Sequence, residues 1–323
     1  MTRIDDTEFP ESEDYLGQSH EDPLAGVDEA VVSTSATPAL DRKSVKAEQR
    51  RELMRSPSFL IGLFIVIVWL LFGFFPDFFA RYPELDPVRV DGTVIARQAP
   101  SADAWFGTDG TGRDVFSRVV YGADNVLVNA PAAAFLAVAF GAILGLIMGY
   151  YRGWVDEILS RVIEAVLSLP VILLAIMVLV VFGASRIAIV LTIAGLFTPV
   201  VTRTVRAAVQ SESQLDYVAA AKLRGESGPF IMLREILPNI TNVLVVEFTV
   251  RVGYAIFTVA TLAFLGLGAD DITVADWGTD ISQSYGLIVS GQWWPSIFPA
   301  LAIALLVIGV NLIADSLDKV YKG

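Results

Sequence analysis

The sequence predicts an all-α polytopic membrane protein with six transmembrane helices, an outer loop domain between the first two and a helical cytoplasmic insertion before the fifth. Three observations lead there. The 323 residues are 54% hydrophobic and 18% charged, with mean hydropathy +0.59, which is too apolar for an ordinary soluble chain. Six runs, approximately 58–75, 126–150, 158–182, 186–203, 241–268 and 295–315, are continuously apolar. Each is near the roughly 20 residues that a helix rising about 1.5 Å per residue needs to cross about 30 Å of hydrocarbon. The runs do not alternate, so helices and not barrel strands are implied. The third observation is the placement of Lys and Arg, which fall mainly in the short flanks on one side.

Taken in order, residues 1–41 carry eleven acids against Arg3 alone, which accounts for −10 of the chain's net −12. This stretch has few large apolar residues and is expected to be a disordered acidic cytoplasmic tail. It lacks the basic start and apolar core of a signal peptide. Residues 42–75 form a basic juxtamembrane segment and the first span, with Arg42, Lys43, Lys46, Arg50, Arg51 and Arg55 holding the N-terminus in the cytoplasm. Counting onward, Arg152, Arg161, Arg203, Arg206, Lys222, Arg224 and Arg234 fall on the same side, as do Lys319 and Lys322 in the C-terminal segment 317–323. Both termini are therefore expected in the cytoplasm of a multi-pass cell-membrane protein.

The stretches 183–185 and 269–294, expected outside, hold no Lys or Arg. The loop 76–125 carries five Arg, but long loops cross largely regardless of charge. Its Pro and Asp breaks around Val88–Ala96 predict a short hairpin in a small ordered cap. The remaining core, 126–316, contains the other five spans and the insertion. With no Cys and a single His20 in the tail, Cys/His metal binding and His catalysis are excluded.

The insertion, LDYVAAAKLRGESGPFIMLREILPN at 215–239, is too charged to span a bilayer. Ser211 or Ser213 is expected to cap a helix from about Gln214 to Arg224, with Gly225 ending it. Ser227 caps a second helix with Pro229 in its first turn, and Pro238 ends that helix. Phe230, Leu233 and Leu237 lie at helical spacing and form an apolar stripe. Two readings stand equal on physics: an amphipathic hairpin lying on the bilayer surface, or a docking element whose Ala219, Ala220 and Ala221 leave a smooth surface for another protein.

This stretch resembles the EAA loop of ABC-transporter inner-membrane subunits, with Ala219-Ala220-Ala221, Gly225 and Leu237-Pro238 in the matching positions. Ala219 stands where an acidic residue is usual, and Glu235 where the general pattern has Ile. FGTDGTGRDVFSRVVYGA at 106–123, AFLGLG at 263–268, Asp276-Trp277-Gly278 and Trp293-Trp294 with Pro299 are similar to the second-permease type of the dipeptide/oligopeptide/nickel importer family. The likeness covers most of 56–316. It implies that 211–238 are coupling helices, with Asp216, Tyr217, the three Ala, Gly225, Leu237 and Pro238 contacting an ATPase. It further implies two cytoplasmic ATP-binding subunits, a second homologous permease and an extracytoplasmic substrate-binding protein, all around a non-catalytic membrane subunit. ATP and Mg would be hydrolysed by the partners; no cofactor is expected on this chain, and nucleic acid is not an expected partner. Di- and oligopeptides are the expected cargo, with nickel or sugars as alternatives.

Ionisable groups inside spans usually face a bundle interior or water. Glu164 with Arg161 on the third span, and Glu247 with Arg251 at i,i+4 on the fifth, are read either as pairs holding helices in register or as pathway and gate residues. Arg113, Asp114 and Arg118 are read as an ion-pair cluster orienting the second span in preference to a substrate site. The competing classes are an ATP-independent secondary transporter, which would leave 203–240 without a partner, and a membrane enzyme, for which no catalytic cluster is evident.

Overall fold

A computed structural model describes residue 49 and residues 51–268 and 274–322; the acidic tail lies outside the described residues. Helix α1 (Pro57–Phe74) begins at Ser56, whose Oγ accepts from the Phe59 N–H, with Pro57 in the first turn. A short α2 (Pro76–Phe79) leads into the expected hairpin, β1 (Arg89–Val90) paired antiparallel with β2 (Thr93–Val94). The turn between them holds Asp91 and Gly92 at φ +50° and +79°, the left-handed pair that a two-residue hairpin requires. Asp114 caps α3 (Val115–Tyr121) by accepting from the Ser117 N–H, and only Gly122 separates α3 from α4 (Ala123–Tyr151).

The expected third span, 158–182, is not one helix. It is α5 (Gly153–Leu167) and α6 (Val171–Phe182), bent 88° to each other. Pro170 has no N–H for the Val166 carbonyl and pushes Leu169 out of the helical region, while Ser168 Oγ turns back to the Ala165 carbonyl at 2.8 Å. The 12 residues of α6 rise only about 18 Å, short of a bilayer. The described residues therefore hold five helices long and apolar enough to cross a membrane, and a sixth crossing if the bent pair counts as one span.

Helix α7 (Arg186–Glu212) continues nine residues past the expected end at 203, passing Pro199 without a break. After the insertion, α11 (Thr241–Leu262) widens into a π turn (Ala263–Leu267), and α12 (Trp277–Ser284) and a 3₁₀ turn (Tyr285–Ser290) lead to α13 (Trp294–Lys322). That last helix runs through the boundary drawn at 316.

Helices α4 and α7 form the central pair. Gly141, Gly145 and Gly149 on α4 face Val201, Val205 and Val209 on α7, and a Cβ on any of these glycines would sit within 2.6–2.7 Å of the opposing valine. Small residues at this spacing let helix backbones approach closely, which replaces the missing hydrophobic drive inside lipid. Helices α1 and α13 approach the same way at Gly62 and Gly309. One apolar cluster, including Trp69, Ala133, Ala137, Ile193, Ile256, Trp277 and Leu306, fills the bundle toward the 76–122 cap. A second fills the end that carries the insertion. The Trp277 indole donates to the Val119 carbonyl at 2.9 Å, and the Trp294 indole to the Thr108 carbonyl at 3.0 Å, so both tie the cap to the bundle.

Candidate functional site

The insertion folds into a helical hairpin. Its first arm, α8 (Asp216–Leu223), begins two residues later than the sequence suggests, after Leu215, which gives no side-chain cap. Ser213 instead caps the C-terminal end of α7, where its Oγ donates to the Val209 carbonyl at 2.6 Å. The end of α8 is as expected: Gly225 has φ +78°, its N–H reaches the Lys222 carbonyl, and the Glu226 N–H reaches the Ala221 carbonyl. That pair of bonds is the Schellman arrangement, which needs a left-handed residue at this position. Arg224 then braces the turn by pairing with Glu226 at 2.8 Å and Glu235 at 3.3 Å. Glu235, the departure from the family pattern, is a partner of the hairpin's own arginine.

The second arm starts as α9 (Gly228–Phe230) with Pro229 in its first turn, widens into a π turn (Ile231–Ile236) and closes as α10 (Leu237–Asn239). Pro238 thus lies inside the helical path instead of ending it. It removes one rung of the hydrogen-bond ladder, and the wider turn directly precedes it. The expected stripe of Phe230, Leu233 and Leu237 is not the buried face: Phe230 and Leu233 are exposed, Leu237 is half-buried, and Ile231, Met232, Ile236 and Ile240 point inward.

Those four join Val218 and Ala221 from α8 in packing on Leu146, Val205 and Val209. The hairpin is therefore an extension of the α4–α7 pair and not a loose loop. Lys222 lies 5.3 Å from the Tyr150 ring centre, and the Tyr217 hydroxyl donates to Glu212 at 2.6 Å. The opposite face is uncovered: Asp216, Ala219, Ala220, Leu223, Phe230 and Leu233 are exposed, Leu223 at 90%. Of the three alanines, Ala221 is buried beneath the hairpin and only Ala219 and Ala220 face out.

The four groups expected inside spans part company. Glu247 and Arg251 on α11 are paired at 3.0 Å, with each side chain 12% exposed and the guanidinium lying over Tyr254. Glu247 also borders a cavity of about 330 Å³ with Thr204, Asn242 and Asp318 at the hairpin end. Glu164 lies on the first half of the bent pair. It is exposed on α5, 3.6 Å from Arg161.

The expected Arg113, Asp114 and Arg118 cluster does not form. Arg113 pairs with Asp109 at 2.7 Å, Asp114 serves as a cap, and Arg118 reaches across 162 residues to Asp280 on α12. Arg118 Nε and Nη2 both reach one oxygen, Oδ1, at 2.9 and 2.5 Å, and Oδ2 is buried with no hydrogen bond among the described residues. Burial with one oxygen unserved pushes the Asp280 carboxyl up to about 6 against the lowering pull of Arg118. A second pair that the sequence reading missed joins Asp156 of α5 to Arg206 of α7. Arg206 had entered only as a topology charge; an arginine late in an apolar helix, opposite an Asp just after a Gly break, was the available signal.

Among known proteins, residues 141–322 match the family described as binding-protein-dependent transport system inner membrane component. The chain is 37% identical over 272 residues to the dipeptide transport system permease protein DppC of Alkalihalophilus pseudofirmus, covering 84% of this chain and 87% of that one. It is 36% identical over 271 residues to a putative peptide transport system permease protein of Brucella suis, covering 84% and 89%. To the glutathione transport system permease protein GsiD of Pectobacterium atrosepticum it is 32% identical over 284 residues, covering 87% and 92%.

Proposed function

Because the chain belongs to the inner-membrane components of binding-protein-dependent transport systems, as an ABC importer permease of the DppC/OppC type, we propose that it imports di- and oligopeptides by passing ATP-driven movement through the 216–240 hairpin to its membrane helices. It is a multi-pass, non-catalytic transport subunit. The observation that carries the proposal is the two-sided hairpin: an inner face packed on the ends of α4 and α7, and an outer face whose small and apolar residues are left uncovered. A surface that only rested on lipid would not need a rigid seat on the central helix pair.

In this reading two cytoplasmic ATPases seat on Asp216, Ala219, Ala220 and Leu223, while Tyr217, Ala221, Gly225, Leu237 and Pro238 hold that surface in shape. Both termini and the hairpin lie in the cytoplasm, and the 76–122 cap faces an extracytoplasmic substrate-binding protein. A second homologous permease completes the path, and ATP and Mg act in the partners alone. Glu247, paired with Arg251, borders the cytoplasmic mouth of that path through its cavity, and Glu164 on α5 is a further candidate for the path. Names of relatives that handle dipeptides, peptides and glutathione support a peptide cargo. Alternating access follows when the ATPases, closing on ATP, favour one of two packings of the helices.

Co-purification of the native complex after mild solubilisation tests this. Ala220→Glu adds a charge to the uncovered face and touches nothing on the buried side, so the variant is expected to fold, reach the membrane and lose its ATPases. An Ala220→Glu protein that retains them, or a wild-type protein that brings none down, would sink the proposal.

A further inference from the structure

We propose that Asp156 and Arg206 form the mechanical link through which movement of the hairpin reaches α5, the first half of the bent pair; the two are positioning residues, and the inference rests on the ATP-coupled reading above. Arg206 Nε donates to Asp156 Oδ1 at 2.5 Å and Nη2 to Oδ2 at 2.6 Å. Two parallel bonds between a planar guanidinium and a planar carboxylate fix orientation as well as distance. Asp156 lies in the first turn of α5 and is 14% exposed on its side chain, against 33% for Arg206.

What the link joins gives it its role. On one side, Arg206 sits in the stretch of α7 that is clamped to α4, where a Cβ on Gly145 would meet the Arg206 backbone N at 3.0 Å. The hairpin packs on that same stretch through Val205 and Val209. Helices α4 and α7 and the hairpin therefore form one packed body, and a push on the hairpin moves Arg206 with it.

On the other side, α5 is thinly held. Only Ile163 of its 15 residues is buried, while Trp154, Ile158 and Val162 are exposed. The chain enters α5 through two consecutive positive-φ residues, Arg152 at +51° and Gly153 at +63°, and leaves it through the 88° bend. Apart from the exposed bond from Arg152 Nη2 to the Gln210 carbonyl at 3.1 Å, the bidentate pair is the polar tie between this segment and α7 among the described residues. With a break in the helical path at each end and α6 seated separately on α7 through Ala175 and Leu179, α5 takes its orientation from this two-point contact and follows what carries it. An apolar contact alone would allow it to slide.

The absence of Cys from the chain makes site-directed labelling direct. Spin labels at Glu157→Cys and Ser211→Cys, both exposed positions, report the α5–α7 distance in the complete transporter reconstituted in nanodiscs. With the link intact, one distance is expected with and without ATP. Asp156→Asn should broaden that distance and lower radiolabelled dipeptide moved per ATP hydrolysed by about fivefold or more, with the ATPases still co-purifying. The exchanged double variant, Asp156→Arg with Arg206→Asp, should recover both readouts. If Asp156→Asn is lost in expression, Arg206→Lys, which keeps the charge but gives up the two-point geometry, is read the same way.

An unchanged distance and yield per ATP in the single variant overturns the link. Loss of the ATPases overturns it too, because the pair would then support the docking surface instead of transmitting from it. The distance arm needs no cargo. If the wild-type complex moves no dipeptide, the cargo reading fails while the distances still decide the link.

Discussion

At Asp280, burial and pairing pull in opposite directions, and the geometry says why burial prevails. Arg118 directs Nε and Nη2 to Oδ1, and Oδ2 has no hydrogen bond among the described residues, so the ionised form is only half served. Arg113 adds a weaker lowering influence and Asp276 a raising one. The folded carboxyl titrates near about 6 and the unfolded one near 3.8, so the unfolded chain releases its proton first as pH rises. Stability from this group is therefore fully present below 3.8 and is lost as pH rises through about 6. Thermal unfolding of the purified permease should show that decline, and Asp280→Asn, which cannot ionise, should flatten it across the same window. A variant with the parent's slope would show that another group is titrating.

At the scale of elements, the close approach of α4 to α7 depends on the absence of side chains at Gly141, Gly145 and Gly149. Gly145→Leu forces the helices apart or pushes Val205 off its rotamer. The expected loss is about 1–3 kcal/mol, the usual range for overpacking a closed core. Gly195→Leu on α7 is the control, because a Cβ there meets nothing within 4 Å. Equal unfolding midpoints for the two variants would show that the glycine stripe is not the tight contact. The same stripe continues to Gly149 against Val209, next to the hairpin's seat, so packing that holds two spans together also positions the docking surface.

For the whole molecule, two separate apolar clusters, one toward the cap and one under the hairpin, divide the labour. Ile236 is fully buried in the second, and Ile236→Ala is expected to cost about 2–5 kcal/mol. Its effect should be regional: faster amide hydrogen exchange across 216–240 and the adjoining end of α7, with the cap unchanged. A uniform loss of protection through both clusters would mean that hairpin and bundle unfold as one unit.

Much of this architecture was legible because it depends on short stretches of chain. The apolar runs locate the spanning helices, the Val88–Ala96 breaks locate a hairpin, and Gly225 marks the end of α8, since each signal is carried by a few neighbouring residues. The resemblance in the 215–239 stretch likewise identified which segment forms the hairpin surface. Tertiary structure alone decided the rest. Periodicity offered Phe230, Leu233 and Leu237 as the hairpin's apolar face, but the side that turns inward is chosen by what α4 and α7 present to it, and that side is Ile231, Met232 and Ile236. A proline at 170 can bend a helix, but only the tertiary structure gives the 88° between α5 and α6. The Arg118–Asp280 and Arg206–Asp156 pairs join residues 162 and 50 positions apart, and no local pattern specifies which distant carboxylate a buried guanidinium meets once the helices close-pack.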